Sequence, residues 1–129
     1  MSYLIDSDWI ADWLNGNTTA TQLISALPSS GALHISIISY GEIYEGIYYS
    51  LNPTAAAQGF RRFLQAVTIL PLSRRTMQVF ARTRGQLRQG GNLIPDADLL
   101  IAATAMQHTL TLATRNKKHF SRIPGLILL

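Results

Sequence analysis

The chain has 129 residues, of which 47% are hydrophobic and 14% are charged, and its formal net charge is +4. This length suits one domain and this composition can form a core, so we expect a single folded domain over residues 1–129. Cysteine is absent, which excludes a disulfide framework and a cysteine-ligated zinc site. Residues 1–10 lack the basic start of a secretory signal, and the longest apolar stretches fall short of the ~20 residues that span a membrane. A cytoplasmic protein without a membrane partner is therefore predicted.

Short apolar runs predict the strands. The first run is residues 3–5, and Asp6 follows it directly. The other strands are expected at 33–38, 67–72 and 110–114, with a fifth at 126–129. Each of the first, second and fourth strands leads into a segment rich in polar side chains.

Apolar residues at helical spacing predict helices between these strands. The expected helices cover roughly 7–14, 18–27, 39–50, 54–66, 74–89 and 95–108. Ser7 or Asp8 is predicted to cap the first helix, Pro28 to stop the second and Ser39 to open the third. Ser73 is predicted to cap the long fifth helix. Its buried face is expected at Met77, Phe80 and Leu87.

Strands that alternate with helices indicate βαβ units and a mostly parallel sheet. We therefore expect a three-layer α/β/α sandwich with about four or five strands. Sites in such sheets form beyond the carboxyl ends of the strands. Asp6, the segment 39–42 and the segment 114–116 all follow strands, so the fold is expected to bring them together.

The charges are segregated along the chain. The seven acids form three groups, and all eleven lysines and arginines lie between Arg61 and Arg122. The acidic groups are Asp6, Asp8 and Asp12; Glu42 and Glu45; and Asp96 and Asp98. This pattern is typical of a basic surface around an acidic pocket, which favours a polyanion that approaches a metal. Arginines that only promote solubility are the alternative.

Most acids also have a purely structural explanation. Glu42 could complete a capping box with Ser39. Asp96 and Asp98 could stabilise the positive end of their helix, and Asp8 could be an N-cap. These alternatives stay open from the sequence alone.

Asp6 is harder to explain structurally, because it follows what should be a central strand. A buried ionised carboxylate is unfavourable unless it is paired or bound to a metal. Carboxylate ligands suit Mg²⁺ or Mn²⁺ better than zinc. The histidines at 34, 108 and 119 have no close spacing, so a histidine zinc site is not expected. Such an ion beside a basic surface favours hydrolysis of a phosphodiester.

Four segments resemble, in order and spacing, the motifs of the PIN-domain family. The likeness is greatest to the VapC-type ribonuclease toxins of bacterial toxin–antitoxin pairs. The segments are 3–8 (YLIDSD), 39–46 (SYGEIYEG), 94–105 (IPDADLLIAATA) and 113–120 (ATRNKKHF). The resemblance implies a PIN-like fold and an endoribonuclease.

By this resemblance, Asp6, Glu42 and Asp98 are the catalytic residues and the ligands of Mg²⁺ or Mn²⁺. The sequence departs from the family at the fourth acid that many members carry. Asn116 or His119 stands there instead, so Asn116 would offer a metal only an uncharged oxygen. One bound metal ion and two bound metal ions therefore both stay open from the sequence.

The resemblance also implies supporting groups and partners. Residues predicted to orient the ligands and water are Ser7, Asp8 and Thr114, with Asp96 in a lesser supporting role. Residues predicted to grip the RNA backbone are Arg115, Lys117 and Lys118. The implied partners are RNA, a cognate antitoxin whose tail covers the site, and a second copy of the chain in a homodimer or a higher assembly with the antitoxin.

Two other functions share some of these sequence features. A haloacid-dehalogenase-like phosphatase would use Asp6 and Asp8 after the first strand, but it needs a downstream lysine, and none occurs before Lys117. A non-catalytic RNA-binding or interaction module with a decayed PIN site would explain the missing fourth acid. Metal-dependent cleavage of RNA distinguishes these functions.

Overall fold

The computed structural model describes residues 1–27 and 33–129. Within these ranges one sheet has four strands, all parallel, in the order β3-β2-β1-β4. The strands are β1 (Tyr3–Ile5), β2 (Leu33–Ser36), β3 (Thr68–Leu70) and β4 (Thr111–Ala113). The predicted parallel sheet is confirmed, and β1 lies at its centre.

The helices of the described ranges connect and cover these strands. They are α1 (Ser7–Leu14), α2 (Thr18–Ala26), α3 (Ile37–Tyr48), α4 (Pro53–Leu64), α5 (Arg74–Gln89), α6 (Asp96–Gln107) and the short α7 (Lys117–Phe120). No helix among them is both long and apolar enough to cross a membrane. Helix α2 ends at Ala26, and the predicted stop at Pro28 lies outside the described residues.

The two faces of the sheet bury separate cores, because neighbouring strand residues point to opposite sides. Ile5 and Ile35 pack with Phe60 on one face, against α1 to α4. Leu4 packs with Leu99 and Phe120 on the other face. Helices on both faces of a parallel sheet make the predicted three-layer α/β/α fold, which is confirmed.

Strand register determines which chain segments meet at the carboxyl edge of the sheet. Ile5 pairs with Ala113, and the amide of Asp6 continues this ladder by donating to the Ala113 carbonyl at 2.9 Å. Asp6 and Thr114 are therefore neighbours at the ends of β1 and β4. Ser36, at the end of β2, leads directly into α3 on the other side of β1.

Two predicted helix caps are wrong. Asp6 itself caps α1, with its Oδ1 accepting from the Ser7 amide at 2.8 Å, so neither Ser7 nor Asp8 is the cap. Ser36 caps α3, with its Oγ accepting from the Ile38 amide at 3.0 Å. The predicted strand 33–38 ran too far because a continuous apolar run does not distinguish a strand from a buried helix turn.

The earlier start of α3 changes the role of Ser39. This residue is fully buried within the helix, and its hydroxyl has no hydrogen-bond partner in the described part of the chain. The capping box with Glu42 therefore does not form. The Glu42 carboxylate is left to interact with another element.

Helix α5 confirms one prediction and corrects another. Ser73 caps it, and the Thr76 hydroxyl oxygen accepts in turn from the Ser73 backbone amide at 3.0 Å. Met77, predicted to be buried, is 42% exposed, whereas Thr76 and Thr83 are buried together with Leu87. The Thr76 hydroxyl donates to Gln107 of α6, so the buried side of α5 includes a polar contact as well as the apolar Leu87.

The predicted fifth strand is reduced to one bridge. Residue Leu128 pairs with Leu112, and the amide of Leu129 donates to the Leu112 carbonyl at 2.9 Å. A single bridge does not add a strand to the sheet. Pro95, predicted as the first helical residue of α6, instead precedes the helix as its N-cap.

Candidate active site

Asp6 lies at the centre of the carboxyl edge of the sheet. Its side chain is buried, with the residue only 5% exposed. Oδ1 accepts from the Ser7 amide at 2.8 Å, and Oδ2 accepts from the Thr114 hydroxyl at 2.7 Å. Both oxygens therefore have defined directions.

Burial raises the pKa of Asp6 from 3.8 to about 6. This value is a net result, since the negative charges of Asp8 and Asp98 also raise the pKa while the hydrogen bonds from Thr114 and Ser7 lower it. In residues 1–27 and 33–129 no lysine, arginine or histidine forms an ion pair with Asp6. Its charge is thus left uncompensated by the chain's own cations, which is the arrangement expected of a cation ligand.

Glu42 reaches the same region from α3. Its Oε1 accepts from the Ser7 hydroxyl at 2.6 Å. Ser7 is the first residue of α1 and directly follows Asp6, so this contact links α3 to the end of β1. Because Glu42 is exposed, its carboxylate remains accessible from solvent.

Asp98 approaches from the first turn of α6 and contacts the segment after β4. Its Oδ2 lies 2.8 Å from His119 Nδ1 and 3.4 Å from Asn116 Nδ2. The Asn116 amide nitrogen also lies 2.8 Å from His119 Nδ1. Both candidates for the fourth-acid position therefore meet at one oxygen of Asp98.

Thr114 and Asp8 bind the segment after β4 to α1. The Thr114 hydroxyl lies 3.4 Å from Asp8 Oδ2 and accepts from the backbone amide of Asn116 at 3.0 Å. Asp8 Oδ1 accepts from the Trp9 amide at 2.7 Å, and its Oδ2 accepts from the Arg115 amide at 2.9 Å. Of the residues predicted to support the site, Ser7 and Thr114 thus contact its acids, whereas Asp8 contacts Thr114 and the Arg115 backbone amide.

Asp96 does not contact them, contrary to the role predicted for it. Its Oδ1 forms an ion pair with Arg84 Nε at 3.1 Å, and its side chain is 65% exposed. Residues two apart on a helix point in different directions, which separates Asp96 from Asp98. Asp96 therefore joins α6 to α5 at the surface.

The basic residues after β4 differ in whether their side chains already form an ion pair with a described residue. Arg115 is already engaged: its Nη1 lies 2.7 Å from Asp12 Oδ2, and its guanidinium lies 4.3 Å from the centre of the Trp9 ring. Lys117 and Lys118 are exposed, and neither forms an ion pair with a described residue. The lysines are therefore the better placed of the three to meet a phosphate.

The donor set suits a hard divalent cation, because Asp6, Glu42 and Asp98 offer only carboxylate oxygens. In the part of the chain that the structure describes, however, no three carboxylate or histidine side chains already converge as metal ligands. Glu42 is held by Ser7, and Asp98 is held by His119. The chemistry of the residues thus fits Mg²⁺ or Mn²⁺, and the ligand set stays a prediction.

A groove borders this region between α1, α3 and α4. Its volume is about 330 Å³, and apolar residues such as Leu14, Ile43 and Ile47 line it together with Glu42 and Arg62. Sequence reasoning did not identify this groove, because its walls come from three helices that are separate in the chain. The sequence indicated His119 as a candidate for the fourth-acid position, but it did not indicate the contact of His119 with Asp98.

Comparisons with known proteins agree with this architecture. The PIN-domain sequence profile matches residues 3–126. Ribonuclease VapC2 from Rickettsia felis is 30% identical over 99% of this chain and 96% of its own length. Ribonuclease VapC10 from Mycobacterium tuberculosis is 33% identical over 91% of this chain and 84% of its own.

A solved structure extends the likeness to three dimensions. The crystal structure of VapBC2 from Rickettsia felis, bound to a DNA fragment from their promoter, contains a chain that superposes with a TM-score of 0.92. That chain is 28% identical, and the match covers 100% of this protein and 98% of that chain. The fold, the motifs and the relatives lead to one assignment: the chain belongs to the PIN-domain family, and the VapC proteins are its relatives.

Proposed function

We propose that this protein is a metal-dependent endoribonuclease and the toxin of a type II toxin–antitoxin pair. The observation that carries the proposal is Asp6, a buried carboxylate with a raised pKa, flanked by Asp8 and Asp98 and left without a cation from the described chain. The relatives of this protein are named as ribonucleases, which supports RNA as the substrate.

Asp6, Glu42 and Asp98 would hold Mg²⁺ or Mn²⁺. When bound, such an ion would lower the pKa of a water molecule and offset negative charge on a phosphate. Ser7 contributes by donating to Glu42 from its hydroxyl and to Asp6 from its amide. Thr114 contributes by fixing the second oxygen of Asp6.

The chain's own cations would bind the substrate and not react with it. Lys117 and Lys118 are exposed beside Asn116, close to the acids. Lysines of this kind neutralise backbone phosphates, which gives affinity without reading the base sequence. The segment from Gly46 to Pro95, which has seven arginines and no acid, extends the positive surface.

We propose that a cognate antitoxin controls the enzyme. The similarity to a chain of the VapBC2 complex supports such a partner. The groove between α1, α3 and α4 would receive an apolar segment of the antitoxin, because Glu42 is among its lining residues and its walls are largely apolar. Occupation of this groove would limit access of RNA to Glu42.

A homodimer is also proposed, and exposed aromatic side chains support it. Tyr40 and Tyr44 pack against the core, whereas Tyr48 and Tyr49 at the end of α3 are 71% and 87% exposed. Leu51 beside them is fully exposed. Apolar side chains grouped in this way are typical of a surface that another chain covers.

The second candidate is a non-catalytic RNA-binding module on a PIN fold. The observation in its favour is that Asp98 is contacted by Asn116 and His119, which stand where many members of the family carry a fourth acid. The phosphatase alternative is not retained, because the PIN-domain match covers residues 3–126.

The test is cleavage of a mixed RNA substrate by the purified chain with Mg²⁺, with Mn²⁺ and with a chelator. We expect cleavage with either ion, none with the chelator and none from Asp6→Asn. Asp96→Asn is the matched control, because it removes a carboxylate that pairs with Arg84 outside the site. RNA binding without cleavage under all conditions would instead establish the non-catalytic module.

A further inference from the structure

Asp98 is held through one of its two oxygens. Oδ2 contacts His119 Nδ1 at 2.8 Å and Asn116 Nδ2 at 3.4 Å. No hydrogen bond from a described residue reaches Oδ1. The carboxylate is therefore asymmetric, with one oxygen engaged by the chain and the other left for an external partner.

The contact with His119 determines where a hydrogen sits. An ionised carboxylate only accepts hydrogen bonds, so His119 Nδ1 must carry the hydrogen at 2.8 Å from Asp98 Oδ2. This holds for the neutral Nδ1–H ring and for the imidazolium ring. The same Nδ1 cannot then accept from Asn116, so the acceptor for the side-chain amide of Asn116 is Asp98 Oδ2, at 3.4 Å.

The main chain keeps His119 in place. The amides of His119 and Phe120 donate to the Asn116 carbonyl at 3.2 and 3.3 Å. Phe120 is fully buried in the core beside α6. Asn116 is tied in turn to the Thr114 hydroxyl at 3.0 Å. His119 is thus presented to Asp98 by a short turn that is anchored at both ends.

We propose that His119 is a positioning residue for Asp98: it occupies Oδ2 and leaves Oδ1 as the oxygen that binds the metal ion. The inference rests on the proposed function. It also gives a role to a residue at the fourth-acid position, where His119 would orient an existing ligand and would not add another. The site would then hold a cation with three carboxylates, and His119 would set the direction of one of them.

This role predicts how metal affinity responds to substitution. Loss of a group that orients a metal ligand typically weakens metal binding by about 10–100-fold. We expect a loss in this range for His119→Ala. His119→Asn places an amide nitrogen near the position of Nδ1, so it should restore most of the affinity. His119→Gln places its amide nearer the position of Nε2 and should restore less.

The experiment is calorimetric titration of Mn²⁺ into the purified full chain and these variants. His108→Ala is the matched control, because His108 is an exposed histidine at the end of α6 and should leave affinity unchanged. RNA cleavage measured over a range of Mn²⁺ concentrations should show that His119→Ala recovers at high Mn²⁺. A merely structural loss would not recover with metal.

NMR of the imidazole nitrogens in the metal-free protein provides a second measurement. We expect a hydrogen-bonded Nδ1–H on His119 that is lost in Asp98→Ala. If His119 lacks this hydrogen, or if His119→Ala binds Mn²⁺ as the wild type does, the positioning role is wrong. If the wild type itself binds no Mn²⁺ and cleaves no RNA, the proposed function fails first, and the inference fails with it.

Discussion

The Thr114 hydroxyl donates to Asp6 Oδ2 at 2.7 Å and accepts from the backbone amide of Asn116 at 3.0 Å. One side chain thereby joins the end of β1 to the turn after β4. Because it both donates and accepts, its rotation is restricted, and so is the orientation of the Asp6 carboxylate. The neighbouring positions of β1 and β4 in the sheet make this contact possible.

Thr114→Val should destabilise the metal-free protein. The substitution keeps the shape of the side chain but removes the donor to a buried carboxylate, a loss of about 1–3 kcal/mol. Thr114→Ser keeps the hydroxyl and is the control. Urea denaturation at pH 7 measures the free energy of unfolding. Equal stability of the valine variant and the wild type would show that the bond to Asp6 is not stabilising.

Asp6→Asn should abolish RNA cleavage and change how stability depends on pH. The folded-state pKa of Asp6 is about 6 against a reference value of 3.8. Between these values the folded state binds more protons than the unfolded state, so stability falls as pH rises through this window. At pH 7 the ionised carboxylate opposes folding by up to about 3 kcal/mol.

Asparagine has no charge to bury, so the stability of the variant relative to the wild type should increase as pH rises from 4 to 7. Denaturation in the presence of a chelator at several pH values measures the difference. Asp96→Asn, at an exposed carboxylate, should show no such trend. A constant difference between Asp6→Asn and the wild type across the window would mean that Asp6 titrates normally.

Asn116→Asp should tighten metal binding and destabilise the metal-free protein. Asn116 lies 3.4 Å from Asp98 through its amide nitrogen, so a carboxylate there adds a charged oxygen beside an existing acid. Repulsion between the two acids is offset only when a cation is bound. We expect metal affinity to rise about tenfold, roughly 1.4 kcal/mol, by calorimetric titration. Unchanged affinity would mean that the side chain does not reach the ion.

Lys117 and Lys118 should contribute RNA affinity and not chemistry. Replacing both with alanine should weaken RNA binding. It should also make the slope of log affinity against log salt concentration shallower by about 0.7 per lost phosphate contact. Cleavage at saturating RNA should change little, because no metal ligand is removed. Filter binding over a range of salt concentrations measures the first effect, and single-turnover cleavage measures the second.

Two control variants show where the RNA runs. Arg115→Ala should affect RNA binding less than either lysine, because Asp12 and the Trp9 ring already hold its guanidinium. Replacing Arg74 and Arg75 of α5 together with alanine should also weaken RNA binding less than replacing the two lysines does. If that double variant loses RNA binding while the lysine variant keeps it, the substrate lies along α5.

The sequence by itself determined the features that depend on neighbouring residues. The apolar run 3–5 followed by Asp6 predicted a buried strand with an acid at its end, and both are observed. Ser73 was correctly predicted to cap α5, because a cap needs only its own first turn. The alternation of strands and helices was enough to predict a parallel sheet with helices on both faces, and so the carboxyl edge at which Asp6 lies.

Only the tertiary structure decided the partner of each polar side chain. Glu42 bonds to Ser7 and not to Ser39, and Asp96 pairs with Arg84 and not with the site. His119 reaches Asp98, a residue 21 positions away along the chain. A side chain near a strand end can turn toward several elements, and their packing determines which donor is within 3 Å of which acceptor. Composition and spacing contain no information about that distance, because it is set by how α1, α3, α5 and α6 pack around the sheet.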